Sequence, residues 1–173
     1  MLEENYSLKT ILDTFYKVKN GKAKKRLIYD QTPVGGIGSK WVIAFFISLP
    51  ILLYIGIFNP AVFAMLGIAQ AIIFYVIFLS MVMIMIIALS FINNNKVIRQ
   101  VNPSWEKHFP DIDLKLILTS GATPYKDFLM HYSDAVQNGL EDDDLIVHLE
   151  KSFSQMKVEN ADLLEAMSSA RNK

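Results

Sequence analysis

The sequence predicts an all-α membrane protein: a two-helix transmembrane hairpin, an N-terminal amphipathic helix and a small helical cytoplasmic C-terminal domain. Three observations carry that prediction. From Trp41 to Ile92 the chain runs for 52 residues without one Asp, Glu, Lys, Arg or His. A turn-forming Asn59-Pro60 divides this run. Charge is segregated around it: residues 1 to 40 hold eight Lys/Arg against four Asp/Glu, and residues 93 to 173 hold nine against thirteen. The predicted layout is therefore 1–40, 41–92 and 93–173.

The first segment opens on LEENYSLKTILDTFYKVK, residues 2 to 19, where Leu8, Ile11, Leu12, Phe15 and Val18 recur at helical spacing. Lys9, Asp13 and Lys17 fall largely on the other side, and Asn20-Gly21 reads as the stop. The expectation is an amphipathic helix of about five turns. The basic cluster KAKKR follows, and Lys22, Lys24, Lys25 and Arg26 are the candidate contacts to a lipid surface. Two readings of the helix stand equally: it lies on the membrane, or it packs on the C-terminal domain while the cluster serves as a topology signal. A nucleic-acid role is not expected, because the cluster has no aromatic interleaving. Pro33, Gly35, Gly36 and Gly38 then suggest a hinge, since GGIGSK lacks phosphate-loop spacing and leads into an apolar helix. No cleavable signal peptide is expected, because the first apolar segment begins about forty residues in, beyond the usual position of a short apolar h-region.

The apolar run fits two crossings. A crossing takes roughly 20 residues, so one is too few for this length, and three would need about 60. The expected helices are about 41–58 and 67–92, with Pro50 inside the first and a turn around Asn59-Pro60. Lys and Arg flank both ends and the turn carries no charge. The positive-inside tendency then predicts an inner-membrane protein, multi-pass, with both termini cytoplasmic. Within the second helix, Gly67, Gln70 and Ala71 form the candidate helix-packing face, used within the hairpin or between copies in a homo-oligomer. The absence of ionisable residues in the spans argues against a transporter or proton channel.

The C-terminal segment is expected to break at Pro103 and Pro110. DIDLKLIL follows as a short strand or a helical turn, and then come about three helices. Thr123-Pro124 should start the first of these and Asn138-Gly139 end it. Acids in EDDDLIVHLEKSFSQM should favour the second, and Asn160 should cap the last.

No catalytic residue, cofactor site or metal site is expected. His108, His131 and His148 form no ligand pair, EDDD lacks the alternation and glycine of a calcium loop, and Cys is absent. The expected function is that of a non-enzymatic bacterial inner-membrane protein acting through protein contacts. Its partners would be membrane lipids and other membrane proteins. The favoured form is exclusion or immunity against incoming conjugative DNA transfer, phage or toxin. The alternatives are a subunit of an envelope secretion or conjugation complex, and a holin-like hole-former.

Overall fold

In the computed structural model, residues 5–36 and 39–171 are described. In chain order the elements are α1 (Leu8–Phe15), β1 (Tyr16–Lys19), β2 (Lys22–Lys25), β3 (Asp30–Gln31), β4 (Gly35–Gly36), α2 (Ser39–Ile57), α3 (Pro60–His108), α4 (Leu114–Leu118), α5 (Phe128–Gln137), α6 (Asp142–Glu159) and α7 (Ala161–Arg171). The protein is mostly helical, at 72%. It is not all-α, because two antiparallel strand pairs interrupt the helices. The chain divides into two compact units, one of residues 1–27 with 96–173 and the other of residues 28–95.

In the first unit, α1 shows why its sequence is helical. Leu8, Ile11, Leu12 and Phe15 fall at i, i+3, i+4 and i+7 and all four are buried. The Ser7 hydroxyl caps the start by accepting from the Thr10 amide at 3.2 Å. The helix is only eight residues long, well short of the five turns expected. Tyr16 leaves it with extended φ and ψ, and the chain enters β1. Asn20 and Gly21, at φ 54° and 69°, are the two left-handed residues of a tight hairpin turn and not a helix stop. The register pairs Tyr16 with Lys25, Lys17 with Lys24, Val18 with Ala23 and Lys19 with Lys22.

Helix α5 packs along β2, and the Ala23 amide donates to Ser133 Oγ at 2.9 Å. The core of this unit is aromatic. Trp105 is fully buried, donates its indole N–H to the Ile112 carbonyl at 2.7 Å, and stands 4.7 Å from Phe109 between ring centres. Phe153 of α6 meets Phe109 edge-on at 5.1 Å and stacks on Phe128 at 5.6 Å. Such pairs each add about 0.5–1.5 kcal/mol beyond the area they bury.

Proline does not end α3 at Pro103, because the helix continues to His108 and stops before Pro110. DIDLKLIL contains the short helix α4, capped by the Asp113 carboxylate on the Lys115 amide at 2.8 Å. Residues 124–127 form turns, so α5 begins at Phe128, later than Thr123-Pro124 suggested. It ends as expected: Leu140 N–H reaches Ala135 O at 3.0 Å and Gly139 N–H reaches Val136 O at 3.1 Å, the paired bonds of a Schellman cap. Asp142, Asp143 and Asp144 occupy the first turn of α6, and Asn160 closes that helix while its carbonyl accepts from Leu163 and Leu164 of α7.

The second unit holds β3, β4, α2 and the first part of α3. Two helices are long and apolar enough to cross a membrane, Lys40–Ile57 and Gly67–His108. Pro50 sits inside α2, and Gly67, at φ 74° and ψ 166°, breaks the helical path of α3 after its first turns. Asn59 caps α3 by accepting from the Ala61 amide at 3.0 Å, with Pro60 at the first helical position.

Candidate functional site

Three places on the molecule concentrate chemistry. The first is the contact between α2 and α3. Leu49, Leu53 and Ile57 of α2 pack with Ala71 of α3, and Phe58, Phe63, Tyr75, Leu79 and Val82 pack around them. Ala71 has 0% exposure. Of the three residues expected on a packing face, Gly67, Gln70 and Ala71, only Ala71 joins this cluster. Gly67 supplies a backbone conformation that a side chain would strain, and a Cβ there would meet Gln70 Oε1 at 3.1 Å. Gln70 itself is exposed. The hydroxyls on these helices are satisfied locally: Ser80 donates to Val76 O at 2.8 Å and Ser90 to Ile86 O at 2.7 Å.

The second place is a polar knot at one end of the same unit. The described part of the segment expected to be a hinge pairs here, Asp30 with Gly36 and Gln31 with Gly35, and Gly38 lies outside the described residues. Gln31 is 2% exposed, and its amide donates to Asn94 Oδ1 at 2.5 Å while accepting from Asn93 at 3.2 Å. Its buried amide is thus held by two of the three asparagines that end the apolar run. Gly36 permits this, since a Cβ there would lie 2.4 Å from the Tyr29 carbonyl oxygen. Sequence reasoning missed the knot. Its signal was the pairing of one isolated amide, Gln31, with Asn93-Asn94-Asn95 across the whole apolar run.

The third place is the basic hairpin. The residues of the cluster Lys22, Lys24, Lys25 and Arg26 differ in their partners. Lys25 Nζ donates to the Leu118 carbonyl, and burial lowers its pKa. Arg26 Nε donates to the Tyr16 carbonyl at 3.3 Å. Lys22 and Lys24 are exposed, beside a groove lined by Ala23, Leu129, Met130, Ser133, Asp134 and Gln137. Beneath the ribbon, burial pushes the Tyr16 phenol well up and, helped by Asp13, takes Tyr132 up to about 12.

Among the described residues, no group of three His, Asp or Glu could hold a metal ion. His148 Nε2 lies 3.8 Å from Asp134 Oδ2, too far for a hydrogen bond, and His131 and His108 join no cluster. Lys9 and Glu141 form an exposed ion pair at 2.6 Å, each shifting the other toward its charged form. No family model matches the chain, and no curated protein or solved structure matches it.

Proposed function

We propose that this chain is a membrane-anchored protein that acts by contact with other proteins and performs no chemistry of its own. The observation that carries the anchor is the make-up of the first unit. Residues 1–27 and 96–173 fold together, while residues 28–95 between them form a unit of their own. If that segment enters a bilayer, it must return to the side it left, so it crosses an even number of times. It supplies helices for two crossings.

Surface composition supports the same reading. Among the described residues, thirty large hydrophobic side chains are exposed and twenty-five of them lie between Trp41 and Ile92. Water does not tolerate that contiguous area, and hydrocarbon does. Basic residues flank the segment and its turn is uncharged, which favours an inner membrane with both termini in the cytoplasm. The contact surface in this reading is the α6–α7 region, where Val147 is exposed one turn beyond the acids that open α6 and Val158 is exposed at the far end of the same helix.

The form of contact proposed is exclusion or immunity: the protein waits in the membrane and engages an incoming membrane-inserted partner. Affinity capture of the full-length chain from gently solubilised native membranes tests this. Recovery alone, or only with copies of itself, is the expected result, and challenge with conjugative donors, phage or toxin then follows. Stoichiometric recovery of other envelope subunits overturns the exclusion reading and makes the chain a component of that assembly.

A further inference from the structure

The β1–β2 hairpin sorts its lysines by face. Lys17 stands opposite Lys24, and Lys19 opposite Lys22. Directly opposed residues share a face of an antiparallel pair, and so do residues two apart. Lys17, Lys19, Lys22 and Lys24 therefore line one face, and all four are exposed. The other face carries Tyr16, Val18, Ala23 and Lys25. Tyr16 is buried there and Lys25 is engaged by the Leu118 carbonyl. None of the four exposed lysines joins an ion pair with any described residue. The carboxylate in the groove beside β2 is that of Asp134.

This arrangement opposes like charges directly at two successive positions, which weakens a strand pair. Lysines can be kept on an edge strand to stop it pairing with another chain. That does not account for Lys22 and Lys24, because α5 already covers β2 and Ser133 already accepts the Ala23 amide. An external polyanion accounts for all four.

We propose that the Lys17, Lys19, Lys22 and Lys24 face binds the anionic headgroups of the membrane that holds the chain. This rests on the membrane-anchored reading. Four ammonium groups on a short ribbon match a surface of closely spaced phosphates, and each lysine near such a surface contributes independently. A single-stranded nucleic acid would look for aromatic side chains to stack on, and this face offers none. Lys25 and Arg26, nearer the apolar segment in sequence, donate to the carbonyls of Leu118 and Tyr16, so the contact falls on two residues from each strand.

The test uses the full-length chain in lipid nanodiscs, one set of phosphatidylcholine and one with phosphatidylglycerol added. The readout is the acylation rate of each lysine by mass spectrometry, with Lys126 and Lys151 as internal references. Lys17, Lys19, Lys22 and Lys24 should react roughly fivefold more slowly in the anionic discs, and the difference should vanish near 1 M salt, where screening acts within about 3 Å. Native mass spectrometry of the same discs should show fewer retained phosphatidylglycerol molecules on a K17Q/K19Q/K22Q/K24Q variant, whose exposed substitutions leave the core alone. Equal acylation rates in the two discs overturn the proposal, as does unchanged lipid retention by the variant. Protection by added RNA or duplex DNA in the neutral discs, without protection by anionic lipid, replaces the lipid with a nucleic acid. Carbonate extraction of native membranes that carry the chain separates the two readings: a chain that fails to stay integrated sinks the anchor and this inference together, and an integrated chain whose lysines are unprotected in the discs sinks the inference alone.

Discussion

Tyr16 shows how much a single side chain reports. Its ring lies 5.6 Å from Phe128 and 5.9 Å from Tyr132, and its hydroxyl donates to the Ile117 carbonyl at 3.4 Å. Burial raises the pKa of both phenols above the ordinary 10.0, Tyr132 to about 12 and Tyr16 further. In the unfolded chain both ionise near their ordinary value, so there the unfolded state binds fewer protons than the folded one. The contribution of these two groups is complete below pH 10 and is lost as pH rises through 12. The unfolding midpoint of the full chain in detergent, followed by circular dichroism, should therefore fall between pH 10 and 12. A Tyr16→Phe, Tyr132→Phe double variant should show a flatter decline. An equally steep decline in the variant would assign the loss to other groups.

At the scale of elements, the decisive choice is made at Asn20-Gly21. The stripe Leu8, Ile11, Leu12, Phe15 and Val18 continues with helical spacing through residue 18, and four of its five members are buried on α1. Val18 fits the period only by coincidence, since it lies in β1 and is partly exposed. The competing signal is YKVKNGKAKK, which alternates with a period of two on both sides of Asn-Gly, and that dipeptide between such runs is the strongest short-range sign of a hairpin. The alternation is easily taken for a helix, because Lys17 and Lys19 suit the polar face of a helix as well as the polar face of a strand. That the apolar run holds two long helices was legible because length and a turn dipeptide agree there, but the second starts at Pro60 and runs to His108, beyond the expected 67–92 at both ends. The polar knot at Gln31 was not, because it depends on residues 62 and 63 positions apart. Gly21 tests the hairpin. Its φ of 69° is free for glycine alone, and a Cβ would meet Gln137 Cγ at 3.1 Å. Gly21→Ala should lower stability by roughly 1–2 kcal/mol, read as a shift of the denaturant midpoint. If residues 16 to 25 were a helix, the same change would stabilise the chain.

For the whole molecule, the consequence of folding both ends into one unit is topological. Residues 1–27 and 96–173 share a core, so they lie on the same side of any membrane that residues 28–95 enter. The chain contains no Cys, which makes single-cysteine mapping clean. Asn5→Cys and Ser154→Cys place a thiol on each part of the first unit, and Ala61→Cys places one at the turn between α2 and α3; all three positions are exposed. In intact spheroplasts, a membrane-impermeant maleimide should label Ala61→Cys and spare the other two, and lysis should expose those to the same reagent. That direction is the one the positive-inside tendency predicts for the basic flanks. The reverse pattern, with both ends of the chain labelled from outside, would keep the hairpin and invert it. Labelling of all three from one side would show that the apolar run does not cross, and the membrane-anchored reading would fall. Labelling of Asn5→Cys and Ser154→Cys from opposite sides would contradict the fold itself. Hydrogen bonds such as Tyr6 to Ser104 and Ala23 to Ser133 join the two ends of the chain and cannot form through a bilayer.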